Sequence, residues 1–330
     1  MEIRDLGEQG LLAMVKRFCP LEVVGDDGAV VTPVADQSVV VTTDMLVEGC
    51  HFSDRTTPPT AVGWRSVAAN LSDLAAMGAS PLGITVALGL RGETSSNWVQ
   101  QLYEGMAQCL DQFQTPIIGG DICRSPINTI SITAIGTVSP QRIIKRSTAQ
   151  PEWAIVVSGA HGHSRAGLEL LLNDDLGASL SETEKRSLQQ DHQYPQPRLD
   201  ILPTLQKLWD SDRHLIIAGM DSSDGLADAI VQISQASGVG ARIEAQKLPH
   251  SNSLEKLAPA ETILDWVLYG GEDFELVLCL PCDRAQQLIK HIPGSAIIGV
   301  TTTETQTILL TGTHPNSEII LTQKQGFQHF

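Results

Sequence analysis

Six short turns set carboxylates beside Gly, Ser or Thr: Gly25-Asp26-Asp27-Gly28, Thr42-Thr43-Asp44, Ser72-Asp73, Gly119-Gly120-Asp121, Asp221-Ser222-Ser223-Asp224-Gly225 and Gly270-Gly271-Glu272-Asp273. Almost none has a basic residue nearby. Small residues let the backbone approach a ligand closely, and carboxylate and hydroxyl oxygens are the donors a hard divalent cation prefers. Together the turns read as a cage for Mg²⁺ and phosphate. Taken singly, each is more often a turn or N-cap carboxylate than a metal ligand. Magnitude bears on the joint reading: two carboxylates about 4 Å apart repel by about 4 kcal/mol at an effective dielectric of about 20. Four or five gathered together would exceed the stability of a typical domain unless cations neutralised them. The turns therefore either point apart or hold metal.

Asp73 is the most instructive of these residues. Between Thr56 and Leu90 the only charged side chains are Arg65 and Asp73. In the helical stretch Ala61–Met77, Ala61, Trp64, Val67, Ala68, Leu71, Leu74 and Ala75 recur at the spacing of one buried face. Asp73 shares the other side with Ser66, Ala69, Asn70 and Met77, with no Lys or Glu to solvate it. A face of that kind packs against something, and a carboxylate buried there takes up a proton or binds a cation. Asp44 is expected to end the strand Val39–Thr43, and Asp121 to end the apolar run Ile117-Ile118 after two glycines. Asp221 and Asp224 bracket two serines ahead of a helix, but they are no EF-hand: they stand three apart rather than two, and Gln232 occupies the place of its bidentate Glu.

Three other motifs carry less. Asn70-Leu71-Ser72 is a glycosylation sequon inside a helix-like segment. Gly159–Gly167 follows a strand and opens a helix as a phosphate-binding turn would, yet a tight strand–helix connection accounts for it better. No Walker A sequence is present. Cys279-Leu280-Pro281-Cys282 sits where a redox motif would, without a second CxxC for zinc, and reads as two inert thiols.

The elements that must position these residues alternate. Strand-like runs lie at Val39–Thr43, Ile84–Leu88, Thr129–Val138, Ala154–Ser158, Leu215–Ala218, Phe274–Leu280 and Ile297–Val300. Helical periodicity marks Ala61–Met77, Asn97–Phe113, Gly167–Leu172, Pro197–Trp209, Asp224–Ser237 and Arg284–His291. Several strands follow one another without a helix between them, which suits α+β with mixed sheets. The basic connector Gln141–Arg146 marks a boundary between two domains, 1–140 and 141–330. The chain has 330 residues, 38 acidic and 22 basic, for a net charge of −16, a balance that repels nucleic acid and anionic membrane. Met1–Pro20 reads as a short amphipathic helix rather than a signal peptide, no run is long enough to span a membrane, and the six cysteines read as reduced thiols, so a cytoplasmic protein is expected.

In order along the chain, GDDGAVV, TTDMLVEGCHF, NLSDLAAMGASP, IIGGD, the arginine of KRS, DSSDGL and GGEDFEL resemble the motifs of the thiamine-monophosphate kinase family, within the aminoimidazole ribonucleotide synthetase superfamily. The resemblance runs from about Gly7 to the terminal Gly326–Phe330. It implies transfer of the γ-phosphoryl group of ATP directly to thiamine monophosphate, giving thiamine diphosphate, with several Mg²⁺ ions. The implied metal ligands are Asp27, Thr42, Thr43, Asp44, Asp73, Asp121, Asp221 and Asp224. Tyr103, Gly120, Asp121, Arg146 and Ser223 would contact ATP, while His51, Glu272 and Phe327 would hold the thiamine phosphate. Asp44, Asp73 and Arg146 would carry the catalysis. The resemblance also implies a homodimer whose N-terminal domains join their sheets into a barrel, with residues 1–140 binding Mg-ATP and the C-terminal α/β domain, 141–330, completing the cleft. After Arg146 the family usually continues Ser-Gly-Ala-Lys-Pro-Gly-Asp, where this chain has Ser147-Thr148-Ala149-Gln150-Pro151-Glu152-Trp153. From that loop only Arg146 is carried over. Among superfamily relatives, selenophosphate synthetase would want a reactive cysteine in a glycine-rich arm, and the hydrogenase-maturation relative a C-terminal cysteine. In a different class, the chain would be an idle acidic protein that only binds divalent ions.

Overall fold

Period-two alternation in Ser38–Val47 and Thr129–Val138, and helical periodicity between them, build the first half of the chain in a computed structural model that describes residues 1–20, 29–173, 175–310 and 318–322. In chain order the elements are α1 (Ile3–Val15), β1 (Ser38–Val47), α2 (Pro59–Ala76), β2 (Ser80–Leu90), α3 (Ser96–Gln112), β3 (Ile117–Arg124), β4 (Thr129–Val138), β5 (Ala154–Val157), α4 (His163–Leu172), α5 (Glu182–Gln193), α6 (Leu202–Ser211), β6 (Ala218–Asp221), α7 (Leu226–Ser237), β7 (Gly240–Glu244), α8 (Asn252–Leu257), α9 (Ala260–Tyr269), β8 (Leu276–Leu280), α10 (Cys282–Ile289), β9 (Ala296–Thr302), β10 (Thr307–Leu310) and β11 (Glu318–Ile320). They form two compact units, Met1–Leu74 with Ala79–Ser139, and Ala75–Gly78 with Pro140–Phe330.

The first unit holds a four-stranded sheet in the order β1-β4-β2-β3, antiparallel except for the β2–β3 pair. One face carries Ile84, Val86, Leu88, Ile130, Ile132 and Ala134, all buried, and α2 lies against its β1–β4 side. All seven apolar positions read as the buried face of α2 are buried, and so are Ser66 and Asn70 on its other side. Helices α2 and α3 cross with their backbones in contact. A Cβ on Gly63 would stand 1.9 Å from the Leu102 carbonyl oxygen, and one on Gly105 1.8 Å from that of Thr60.

The α+β class expected from the sequence holds, with two units, but the barrel does not. The four-stranded sheet is open: β1 and β3 are its two edges, and closure would require each to be paired on both sides. Two strand limits also differ from expectation. Asp44 and Asp121 do not end strands, since β1 continues to Val47 and β3 to Arg124. The strand expected at Leu215–Ala218 begins instead at Ala218 and ends on Asp221.

The second unit holds a seven-stranded sheet in the order β11-β10-β7-β9-β5-β8-β6, antiparallel except for β10–β7. Its core joins Ile155 and Val157 of β5, Val277 and Cys279 of β8, Ile230 and Ile233 of α7, and Trp266 and Val267 of α9. Among the described residues no helix is long and apolar enough to cross a membrane. The sequon is inert as a glycan acceptor, because Asn70 is fully buried, with Nδ2 donating to the Ser66 carbonyl at 2.9 Å. Burial lifts the Cys279 thiol to about 12, which fits an inert thiol there, whereas Cys282 is exposed, its thiol donating to the Glu152 carbonyl at 3.4 Å.

The helix crossing gives a stability test. Gly105→Ala should destabilise the protein by about 3 kcal/mol or prevent folding, seen as a lowered urea midpoint. Gly92→Ala, whose added carbon would meet nothing nearer than Arg4 Cβ at 3.6 Å, should leave that midpoint unchanged.

Candidate active site

In the first unit, strand pleat decides which candidates meet. Paired residues share a face, so Asp44, Ile132, Val86 and Gly120 form one row on the helix-covered side. Thr42, two residues from Asp44, points the same way, and its hydroxyl donates to the Asp73 carboxylate on α2. The Asp44 backbone N–H donates to Asn70 Oδ1 at 3.1 Å, anchoring the strand to the same helix. The structure thus brings Thr42, Asp44 and Asp73 to one side of β1. Thr43 faces the opposite side, where its hydroxyl donates to the Ile132 carbonyl and meets the Thr133 hydroxyl, each at 2.8 Å. Asp121 also lies on that side, in the row Met45–Ser131–Ala87–Asp121. It sits on the edge strand opposite β1, three strand spacings or roughly 14 Å away, so Asp44 and Asp121 of one chain do not meet.

His51 lies in the turn after β1, where its Nδ1 accepts the Val47 N–H at 3.1 Å and so leaves the proton of the neutral ring on Nε2. Tyr103 is buried on α3 with its ring 5.5 Å from that of Phe18, and desolvation pushes its hydroxyl pKa up. Gly120 has a packing reason to be glycine: a Cβ there would fall 2.0 Å from the Val86 carbonyl oxygen.

In the second unit two of the motifs are stitched together by backbone. The Glu272 N–H donates to the Ser223 carbonyl at 2.7 Å, and the Ser222 N–H and hydroxyl both donate to the Glu275 carbonyl, at 2.9 and 3.0 Å. Asp221 is buried at the end of β6, and its Oδ1 accepts from the Ser223 hydroxyl at 3.3 Å, while Asp224 is exposed. Asp221, Ser223, Asp224 and Glu272 therefore belong to one joined pair of loops. Arg146, in a 3-10 turn, is exposed; its Nη1 donates to Gln232 Oε1 at 2.6 Å on α7. Asp27 and Phe327 lie outside the described residues.

Behind the loops is a polar network that sequence reasoning missed. His161 Nε2 is 3.0 Å from the Ser222 hydroxyl, and desolvation drives the ring down to about 4, partly offset by the Gly159 backbone. The Asp273 carboxylate accepts the N–H groups of Gly162 at 2.7 Å and Ser164 at 2.9 Å, at the start of α4. Burial raises its pKa against the pull of those bonds and of His163. Glu275 is likewise raised by burial; it accepts from Ser158 and pairs with Arg198, whose Nη1 also donates to the Ser158 carbonyl at 2.9 Å. The turn at Gly159–Gly167 is thus a strand–helix connection whose amides are taken by Asp273. Asp273 and Ser222 stood out in their own turns and His161 and His163 cluster in GAHGHS, but nothing in the sequence joined them.

Among the described residues no three His, Cys, Asp or Glu side chains gather tightly enough to form a metal centre by themselves. A dense all-carboxylate cage is therefore not built by the described residues. The donors present are hard oxygens supplied in ones and twos, Thr42 with Asp73 and the nearby Asp44, and Asp221 with Ser223. That set fits magnesium, which is ordinarily bound by one or two carboxylates with phosphates and water completing its shell.

Family models for the AIR synthase related protein match this chain twice, the N-terminal domain over residues 25–138 and the C-terminal domain over 150–310. The chain is 48% identical over 328 residues to the thiamine-monophosphate kinase of Synechococcus elongatus, covering 99% of this chain and 98% of that one. It superposes on the thiamine-monophosphate kinase from Stenotrophomonas maltophilia K279a with a TM-score of 0.78 and 32% identity, over 91% of this chain and 94% of the other. For AaThiL complexed with AMPPCP and TMP the TM-score is 0.73 and the identity 32%, over 94% and 95%.

The desolvated histidine has a signed consequence for stability. His161 ordinarily titrates at 6.5 and in the fold at about 4, so the folded state binds fewer protons between those values. Its contribution is complete above pH 6.5 and is lost as pH falls towards 4. Unfolding free energies of the wild type and His161→Gln, measured by urea across that window, should converge as the pH drops. Parallel curves would show that His161 binds its proton alike in the folded and unfolded states and would overturn the desolvated reading.

Proposed function

This chain belongs to the thiamine-monophosphate kinase family, within the AIR synthase related proteins, and is an ATP-dependent kinase; on that footing we propose that it phosphorylates thiamine monophosphate to thiamine diphosphate. The observation that carries this reading is near full-length similarity, with the motif oxygens Thr42, Asp44 and Asp73 set together on one side of β1. The reported complex of AaThiL with AMPPCP and TMP supports the same pair of substrates.

The acceptor is a phosphate monoester whose second pKa lies near 6, so at neutral pH it is mostly dianionic and needs no general base. The task left to the protein is to bring two polyanions together in line. Asp44, Asp73 and Thr42 would hold magnesium in the first unit, and Asp221 and Asp224 in the second, with Asp27 and Thr43 as further ligands. When bound, such ions would supply positive charge that neutralises the phosphates and stabilises charge on the γ-phosphoryl group. Arg146 would add charge-assisted hydrogen bonds to ATP, beside contacts from Ser223, Gly120 and Tyr103. Tyr103 would act through its packing, since its ring is buried against Phe18. Glu272 would face the cationic thiazolium, with His51 and Phe327 completing the thiamine phosphate site. Residues 1–140 would thus supply most magnesium and nucleotide ligands, and 141–330 the remainder.

We also propose a homodimer. Val39, Val41 and Met45 expose an apolar stripe on edge strand β1, at 52%, 61% and 55%. Because Asp44 and Asp121 of one chain are roughly 14 Å apart, an ion held by both would require the partner subunit's Asp121. The proposed setting is the cytoplasm, with no nucleic-acid or membrane partner, in keeping with the charge of −16 and with six cysteines free of disulfides.

Two measurements test this. ADP release from ATP should depend on added thiamine monophosphate, vanish with EDTA and return with Mg²⁺; turnover that ignores the acceptor or survives chelation would refute the reading. Asp44→Asn and Asp121→Asn should each be folded and inactive. Unfolding and reassembling them together should restore about a quarter of wild-type activity, because half the dimers would be mixed and each would hold one intact site. No recovery would place both carboxylates in sites of their own chain.

A further inference from the structure

Glu272 sits in a strained stretch of backbone. Gly271, Glu272 and Phe274 have φ of 65°, 59° and 52°, and for the two residues other than glycine this left-handed region costs on the order of 1 kcal/mol each. Such a conformation persists only when its surroundings impose it. Three contacts do so here. The Glu272 N–H is fixed to the Ser223 carbonyl at 2.7 Å, and Phe274 is buried at 6% exposure. Between them, both oxygens of Asp273 are held by the first amides of α4, Gly162 N–H at 2.7 Å and Ser164 N–H at 2.9 Å, more than a hundred residues away in sequence. α4 is in turn fixed on a separate side, through the Ser164 hydroxyl and His192 Nδ1 at 3.1 Å on α5.

We propose that Asp273 is a positioning residue for acceptor binding: its two-pronged hold on the start of α4 keeps Glu272 pressed against Ser223 and so aims the Glu272 carboxylate. Asp273 touches neither substrate and acts through its neighbour. The inference rests on the reading of Glu272 as part of the thiamine monophosphate site. Removal of the clamp frees the strained segment to relax, and the loss falls on the acceptor rather than on ATP. An asparagine keeps one accepting oxygen but turns an NH₂ group towards the second amide, so it weakens the hold without emptying the space.

The experiment compares wild type, Asp273→Asn, Asp273→Ala, Glu272→Ala and the double variant Glu272→Ala/Asp273→Asn. Steady-state kinetics are read for both substrates, and amide hydrogen exchange is followed at Glu272 and Ser164 without substrate. Asp273→Asn should raise KM for thiamine monophosphate about tenfold while KM for ATP stays within about twofold. It should also accelerate exchange at both amides. In the Glu272→Ala background it should add less than about a twofold effect, because it acts through Glu272. Unchanged exchange in Asp273→Asn, equal shifts in both KM values, or effects that multiply in the double variant would overturn the proposal. If Asp273→Ala fails to fold, Asp273→Asn carries the test alone. A wild type that makes no thiamine diphosphate would instead sink the functional reading, and the exchange rates would still decide whether the clamp exists.

Discussion

A carboxylate taken out of water has to be supplied with donors, and in the C-terminal unit that requirement sets where three loops lie. An ion of this kind, left unpaired, costs several kcal/mol. Asp273 meets the need with the amides that open α4, and Glu275 with Ser158 and Arg198. Both residues belong to one short segment, so satisfying them draws the β5–α4 connection against the approach to β8. The backbone of the same segment then takes up Ser222 and offers Glu272 to Ser223. The DSSD and GGED loops are thus tied to each other through a segment whose two buried carboxyl groups are held by donors from other elements.

In the N-terminal unit the governing constraint is the pleat. Adjacent residues of a strand face opposite ways, so a motif written Thr-Thr-Asp cannot present three side chains to one ion. Thr42 and Asp44 go to the helix side, and Thr43 goes to the open side with Asp121. The helix answers with Asp73 and Asn70 at matching heights on α2, which explains why that face of α2 is polar yet uncharged elsewhere. One side therefore gathers oxygens beneath a packed helix, and the other spreads hydroxyls, apolar side chains and a single carboxylate across an exposed surface.

How far the sequence disclosed this depended on whether the relevant forces were local. The face of α2 was readable because a gap in charge over more than thirty residues is a local pattern, and burial of Asn70 and Ser66 followed from it. Asp44 and Asp121 looked like strand ends because Asp is poorly suited to a central strand. Both lie on edge strands, where that penalty is relaxed, and the strands run on past them. Leu215 and Ile217 are buried as their apolar character suggests, but the hydrogen bonds of β6 start at Ala218 because its pairing with β8 sets the register. The Asp273–Gly162 and His161–Ser222 contacts join residues 111 and 61 apart, and nothing in either neighbourhood names the other. The open sheet is a similar case: nothing local to β1 or β3 says whether its outer side is paired, and the structure leaves both as edges.

The loop after Arg146 departs from the family's usual sequence, and its two ends are held on different elements. Glu152 stands where the family usually has glycine, and it adopts the left-handed backbone, with φ of 66°. It is held there by its N–H on the Thr301 carbonyl at 2.9 Å, while Trp153 N–H and the Gln150 carbonyl both engage the Thr301 hydroxyl. Strain of about 1 kcal/mol is offset by bonds to β9 rather than avoided by glycine. The Arg146 end is secured separately. The Ser237 hydroxyl donates to the Arg146 carbonyl at 2.7 Å and accepts the Ala149 N–H at 2.9 Å, and Gln232, itself tied to Asp228, receives the guanidinium. The two ends are anchored on different elements, α7 and β9, so the positions that depart from the family pattern, 148, 150, 152 and 153, supply none of the bonds to α7 described for the Arg146 end. The lost lysine removes one charge from the loop, but the arginine keeps its place for reasons the substituted residues do not touch.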